Sequence, residues 1–295
     1  MAVFVNPVSG CGAGAKLHGR LKEAIAAERL LAENVASLQF TPRKGEEEQA
    51  ADAIKKAETV FICGGDGTVH QFVNLMMKTQ FAGRMAVFPI GTGNDFCASI
   101  SPGGKDPIAF LRTIVQTPRT TSVDVFAVNG SVHFVNYASW GLDARILAVY
   151  EKNLPKFERM ISGPLLSKKT FFAFVGLGEL LAYHAKVRLG GERFTCIIAS
   201  NLRSYAGGSV ISKTSRTDDG MIEVMKLKSK GQFLRLILSR FFSGLGPESE
   251  PISPPVTFNT CPGAPVQVDG EDYTEFFKNT SAYTISREGA LKVCA

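Results

Sequence analysis

Apolar residues recur along the first third of the chain in short runs, and helical spacings separate them. Ala2–Val5, Val35–Phe40, Thr59–Cys63 and Met85–Phe88 predict buried strands. Between them, Ala15–Leu31 places Leu17, Leu21, Ala24 and Ile25 on one helical face. Glu46–Lys56 carries acids in its first turn and lysines in its last, which matches the helix macrodipole. Thr68–Lys78 continues the helical pattern after a glycine-rich turn. Strands alternating with helices predict a parallel sheet covered by helices, with a ligand site beyond the carboxyl ends of the strands.

From about Thr121 the pattern changes. Ser122–Val128, Asn129-Gly130 and Ser131–Ala138 read as a hairpin, and Leu142–Tyr183 as helical. Ala185–Leu189, Gly190-Gly191 and Glu192–Ser200 read as a second hairpin. Further strands are predicted at Met221–Leu227, Val256–Asn259, Pro265–Val268, Ser281–Ser286 and Leu291–Val293, and Gly244–Pro255 as a surface loop. The expected organisation is an α/β domain over residues 1–121 and a β-sandwich or barrel-like domain over 122–295. The final strand or strands are left free to return to the first domain.

Composition narrows the class. The 295 residues are 45% hydrophobic and 20% charged, as in soluble globular proteins. The net charge of +6 suits an anionic partner (a nucleotide, an acidic membrane or nucleic acid) without choosing among them. Cys11, Cys63, Cys97, Cys196, Cys261 and Cys294 show no metal-ligand spacing and are expected as reduced, mostly buried thiols of a cytosolic protein. No signal peptide is read at Met1–Val5, and Phe171–Tyr183 is too short to span a bilayer.

Chemistry gathers at the strand ends. Asn6-Pro7-Val8-Ser9-Gly10, Thr41-Pro42, Gly64-Gly65-Asp66-Gly67-Thr68 and Pro89–Phe96 each follow a predicted strand. Consecutive parallel strands end on one side, so all four should meet in one crevice. Glycines let the backbone approach a ligand, and the helix start after Gly67 offers N–H groups to an anion. Asp66 would be repelled by a phosphate unless a divalent cation or a proton in transfer lay between them, which points to phosphoryl transfer.

These segments, with Val123-Asp124-Val125 and Val268-Asp269-Gly270-Glu271, resemble the diacylglycerol kinase catalytic-domain family, which includes bacterial lipid kinases, sphingosine kinases and ceramide kinases. The motifs keep the family's order from residue 6 to 271. GGDGT alone is shared with NAD kinases and phosphofructokinases; the other motifs narrow the likeness to lipid kinases. The resemblance implies an α/β domain of the NAD kinase and phosphofructokinase type, a C-terminal β-sandwich, and catalysis between them. It implies ATP contacts at Asn6, Ser9, Thr41, Gly64, Gly65, Asp66, Gly67, Thr68, Val69, His70, Gln71, Gly91, Thr92 and Asn94. It implies Glu271 as proton acceptor, with Asp66, Asp95 and Asp124 organising Mg2+ and the cleft; some members give the base role to the aspartate at the position of Asp66, so that choice stays open. A second ion site is implied at Arg216, Asp219 and Met221, against an ordinary Asp-Gly turn as the alternative. Two departures stand out: Cys11 replaces a lysine common after NPxSG, and Gln71 replaces a common glutamate.

The resemblance further implies a lipid hydroxyl as acceptor, a place in phospholipid biosynthesis, peripheral contact with an anionic membrane from the cytoplasm, and no nucleic-acid partner; it leaves room for a homodimer. Gly231–Gly244, helical, apolar and basic, either lies on a leaflet or packs against the sandwich, with packing preferred. A soluble-substrate kinase of the NAD kinase type, or a lapsed lipid- or nucleotide-binding protein, remains as an alternative.

Overall fold

The structure, a computed structural model, describes residues 1–294 apart from 44, 92–93, 101–105, 161–167, 190, 206–207, 240 and 243–244. Strands β1 (Ala2–Val5), β2 (Ser37–Phe40), β3 (Thr59–Gly64) and β4 (Arg84–Pro89) run parallel in the order β2-β1-β3-β4. Helices α1 (Ala13–Ala27), α2 (Arg29–Asn34), α3 (Glu48–Lys56), α4 (Asp66–Lys78), α5 (Asp95–Ile100) and α6 (Pro107–Gln116) accompany them. Alternation along β1 sorts the side chains into two cores. Ala2 and Phe4 meet Ile54, Val69, Phe72 and Phe96 from α3, α4 and α5, while Val3 and Val5 meet Leu17, Leu21, Leu31 and Leu111 from α1, α2 and α6. Full burial of one such leucine or phenylalanine stabilises the fold by about 1.5–3 kcal/mol.

The later part is an antiparallel all-β domain with helices on one face. Strands β5 (Thr120–Val128), β6 (Val132–Phe134) and β7 (Tyr137–Gly141) lead into α7 (Leu142–Met160) and α8 (Lys168–Ala182). There follow β8 (Val187–Leu189), β9 (Glu192–Phe194), β10 (Cys196–Ser200), β11 (Ser204–Tyr205), β12 (Ser209–Val210) and β13 (Ile222–Leu227). Then come α9 (Lys230–Leu238), β14 (Glu250–Ile252), β15 (Val256–Asn259), β16 (Val266–Val268), β17 (Glu271–Asp272) and β18 (Ala282–Cys294). One antiparallel sheet has the order β14-β13-β10-β7-β16-β17. Its inner face packs Trp140, Ile197 and Val224 against Phe126, Phe134, Phe258 and Tyr283 of the other sheet, and its outer face meets α7 and α9 through Leu142, Ile146, Phe233 and Leu236.

Strand β18 joins the two parts. Its last residues pair parallel with β4, Lys292 opposite Arg84, while its first residues pair antiparallel with β15. It also pairs with β5 along most of its length, with an irregularity between Arg287 and Gly289. The expected strands Ser281–Ser286 and Leu291–Val293 are therefore one bulged strand.

Other departures from expectation have local causes. The helix predicted over Ala15–Leu31 breaks at Glu28 (φ −112°, ψ 115°), whose carboxylate takes two hydrogen bonds from Arg112 of α6, at 2.8 and 2.6 Å. The arm predicted as Ser131–Ala138 divides at Val135 and Asn136, whose N–H groups go to the Asp269 carboxylate, and β6 and β7 enter different sheets. The arm Glu192–Ser200 divides at Thr195. The loop expected over Gly244–Pro255 contains β14, paired with β13. Within the expected Leu142–Tyr183, Gly190-Gly191 and Gly231–Gly244 segments, residues 161–167, Gly190, Arg240, Ser243 and Gly244 lie outside the described residues. The cysteines are free; Cys11 and Cys261 are exposed and the other four buried. No helix among the described residues is long and apolar enough to cross a membrane.

Candidate active site

The carboxyl ends of β1, β3 and β4 bring three of the motifs together. Asn6 donates Nδ2 to Thr68 Oγ1 at 2.9 Å and accepts the Val8 N–H at 3.1 Å, tying the NPVSG turn to the first turn of α4. Ser9 enters by its backbone, donating to the Asn6 carbonyl at 3.3 Å. Gly91 lies on Gly65 so closely that a Cβ there would sit 2.6 Å from the Gly65 Cα, so this approach requires glycine. Asn94 donates Nδ2 to the Gly91 carbonyl at 2.8 Å, and its buried Oδ1 has no hydrogen-bond partner among the described residues. Thr41 continues from β2, its N–H on the Val5 carbonyl, and Gln71 donates to the Pro42 carbonyl at 3.0 Å. Gln71 thus acts as a neutral tether between α4 and the 41–42 turn.

Gly65, the residue before α4, has no side chain with which to cap it, and a helix start of this kind is suited to an anion. Val69 is committed to the core by its side chain, and His70 is buried with its ring against Asp269 and Tyr273. Thr92 lies outside the described residues.

The three aspartates occupy different settings. Asp66 accepts the backbone N–H groups of Asp95 (3.0 Å) and Phe96 (3.2 Å), which satisfies donors at the start of α5. Burial raises its pKa to about 6 against these two bonds, and the charges of Asp95 and Asp269 add to the rise. Asp95 is itself buried and contributes repulsion. Asp124 is fully buried and both its oxygens are engaged, one by the Gly220 N–H at 2.7 Å and the other by Arg287 at 2.6 Å. It clasps the 217–220 turn to β5 and β18.

Glu271 arrives from the second domain. Asp269 and Gly270 (φ 50° and 84°) form the two-residue turn between β16 and β17, with Val268 opposite Glu271. The turn sets the Glu271 carboxylate beside Gly67, where a Cβ would overlap Glu271 Oε1. A carboxylate thus faces the glycine of the phosphate-type helix start. Glu151 of α7 bears on the same place: burial first, then the charges of Glu271 and Asp272, push its carboxyl up to about 7.

The residues expected around a second ion form a turn closed by its own bonds. Asp219 is exposed and accepts the Met221 N–H at 3.0 Å, and Arg216 pairs with Asp218 at 3.1 Å. No group of three His, Cys, Asp or Glu residues that could hold a metal occurs among the described residues. The implied ligand set is the exposed Asp219 carboxylate with the backbone carbonyls of Arg216 and Met221, and that carboxylate already accepts within its own turn. Asp66 fits better: each of its oxygens accepts one hydrogen bond, and the surrounding acids leave negative charge that a divalent cation would offset.

No sequence motif marks Tyr273, Asn74 or Glu151, and Asp269 stands out only as part of the Val268–Glu271 motif. Asp269 is buried and accepts three backbone N–H groups, from Val135, Asn136 and Tyr137, at 3.2, 3.0 and 2.9 Å. Asn74 exchanges two 2.9 Å hydrogen bonds with the backbone of His133. The Asp-Gly pair signals the turn at 269–270; the partners of Asn74 and Glu151 are distant in sequence and leave no local trace.

The sequence model of the diacylglycerol kinase catalytic domain matches residues 1–128. A Pseudomonas aeruginosa (strain UCBPP-PA14) protein named "Probable lipid kinase YegS-like" is 27% identical over 268 residues, covering 86% of each chain. Human diacylglycerol kinase zeta is 24% identical over 322 residues, covering 92% of this chain and 33% of the human protein. The crystal structure of a diacylglycerol kinase from Bacillus anthracis str. Sterne superposes with a TM-score of 0.66 at 20% identity, covering 99% of this chain and 96% of that one. The fold resemblance spans both parts of the molecule, and the sequence relatives support a kinase.

Proposed function

We propose that the chain is an ATP-dependent lipid kinase that transfers the γ-phosphoryl group to a lipid hydroxyl at a membrane surface. The observation that carries this reading is the Glu271 carboxylate set against Gly67, at the uncapped start of α4. ATP lies over the strand ends near Asn6, Thr41, Gly64–Gln71 and Gly91–Asn94, with its phosphates at the helix start. The acceptor hydroxyl loses its proton to Glu271 while its oxygen bonds to the γ-phosphorus and the bond to the ADP oxygen breaks. Asp66 is the residue that would hold Mg2+, which when bound would offset the phosphate charge. Asp95 adds to the charge that such a cation offsets. The nucleotide-binding domain is taken to end near residue 121, with residues 282–294 completing its sheet.

A membrane-facing surface is supported by α8. Phe174 (63% exposed), Leu177 and Leu181 (72%) form a stripe along one side of it. Lys230 of α9 donates to the Leu181 carbonyl at 2.7 Å, so the exposed Leu234 lies on the neighbouring helix and the exposed Phe241 and Phe242 lie just past its end. An apolar face on a chain of net charge +6 suits peripheral binding to an anionic leaflet from the cytoplasm.

Transfer from γ-labelled ATP to a total lipid extract, run beside transfer to NAD, tests the reading. Label entering a lipid is the expected result; label entering NAD alone, or no labelled lipid with Mg2+ and anionic phospholipid present, overturns it. Glu271→Gln should lose turnover by about 10²–10⁴-fold while still binding ATP.

A further inference from the structure

Strand β17, which carries Glu271, is two residues long and lies at the end of its sheet. A strand so short cannot by itself hold a carboxylate in place across two domains. We propose that His70 is a positioning residue for Glu271, acting through Asp269 and Tyr273; the proposal rests on the reading of Glu271 as proton acceptor.

Asp269 and Tyr273 lie two residues before and two residues after Glu271. The buried His70 ring grips both: Nδ1 faces Asp269 Oδ2 at 3.3 Å, and Nε2 faces the Tyr273 hydroxyl at 2.7 Å. Asp269 acts as an acceptor, since it already receives three backbone N–H groups. Nδ1 therefore donates to Asp269, and Nε2 and the Tyr273 hydroxyl share the second hydrogen bond. Tyr273 also meets the His70 ring edge-on, with centroids 5.6 Å apart.

His70 lies three residues after Gly67, one turn along the same helix. The helix start that would hold the phosphates and the grip on the Glu271 hairpin are thus parts of one rigid element. Asn74, a turn further on, donates to the His70 carbonyl at 2.9 Å and bonds the His133 backbone, fixing the helix against β6. Freeing the hairpin lets Glu271 move while the phosphate-binding turn stays intact. A displacement of order 1 Å at a reacting group costs about 10²-fold in rate.

The test measures kcat and the KM for ATP with labelled ATP and total lipid extract, for His70→Ala and Tyr273→Phe, each alone and combined with Glu271→Gln. His70→Ala should lower kcat by about 10²-fold with the KM for ATP within about twofold. Tyr273→Phe keeps the ring in place and should lower kcat by about threefold to tenfold, so the proposal does not depend on the folding of the His70 variant. In the Glu271→Gln background neither substitution should reduce the residual rate further, because both act through the missing carboxylate. Additive losses in that background, or a raised KM with kcat intact, overturn the proposal and leave Glu271 as the base. Wild-type turnover in Glu271→Gln alone removes Glu271 as proton acceptor and moves that role to Asp66, with the lipid-kinase reading intact, which is a distinct result.

Discussion

Asp66, the first residue of α4, receives the backbone N–H groups of Asp95 and Phe96 at 3.0 and 3.2 Å and thereby joins the starts of two helices. Its raised pKa of about 6 follows from burial that these two bonds only partly offset. Because the folded-state value is raised, folding favours the protonated acid. That stability is complete below about pH 4 and is lost as pH climbs through the folded value. Thermal unfolding of the wild type should therefore weaken between about pH 4 and 6, and Asp66→Asn should flatten the curve in that window. Equal slopes in the two proteins would remove the assignment.

Gly67 predicts a clean separation of fold from chemistry. A Cβ there overlaps Glu271 Oε1, the far end of a flexible side chain, and Gly67 is not among the glycines with positive φ. Gly67→Ala should fold with a Tm close to wild type and bind ATP, with kcat lowered at least about tenfold as Glu271 is displaced. Unchanged kcat would show that the carboxylate has no need of that position.

Asp124 should affect stability more than chemistry. Its carboxylate is buried and engaged by Gly220 and Arg287, so Asp124→Asn leaves the Arg287 guanidinium without its charge partner. Arg287 is partly exposed, which reduces the cost to about 1–3 kcal/mol in chemical denaturation, with kcat of the folded enzyme within about threefold. A loss of about 10²-fold or more in kcat at unchanged stability would return Asp124 to the reaction itself.

The stripe on α8 gives a prediction read on vesicles. Replacing Phe174, Leu177 and Leu181 by Ser should leave the Tm within a few degrees of wild type, since all three are exposed. Sedimentation with phosphatidylglycerol vesicles should fall at least about tenfold, because the three side chains together would bury several kcal/mol of apolar surface. Undiminished sedimentation would place membrane contact elsewhere.

The parallel half was legible because its strands are apolar runs and its turns are written in glycine and proline. The Ala2–Val5 strand and the start of β3 at Thr59 match expectation, and α4 starts two residues before the expected Thr68. Helix α6 was missed although Asp106 and Pro107 mark its start: the Asp106 side chain accepts the N–H groups of Ile108 and Ala109. The sandwich was read as hairpins because local pattern pairs neighbouring strands, whereas Asp269 separates β6 from β7 from more than a hundred positions away. At the site, motif residues could be named individually. Which carboxylate meets which loop depended on the side chains of His70, Gln71 and Asn74, whose partners lie elsewhere in the chain.

The double allegiance of β18 bears on how the protein is made. Lys292 and Val293 sit beside Arg84 and Met85, so the central parallel sheet lacks a neighbour for β4 until residues from the far end of the sequence have been synthesised. Loop closure over such separations is slow, and the exposed edge of β4 is a template for unwanted strand pairing in the meantime. The parallel-sheet half therefore cannot complete its sheet on the ribosome ahead of the rest. Expressed as residues 1–121 alone, it should aggregate or remain partly folded, and adding residues 282–294 as a tethered strand should improve its solubility.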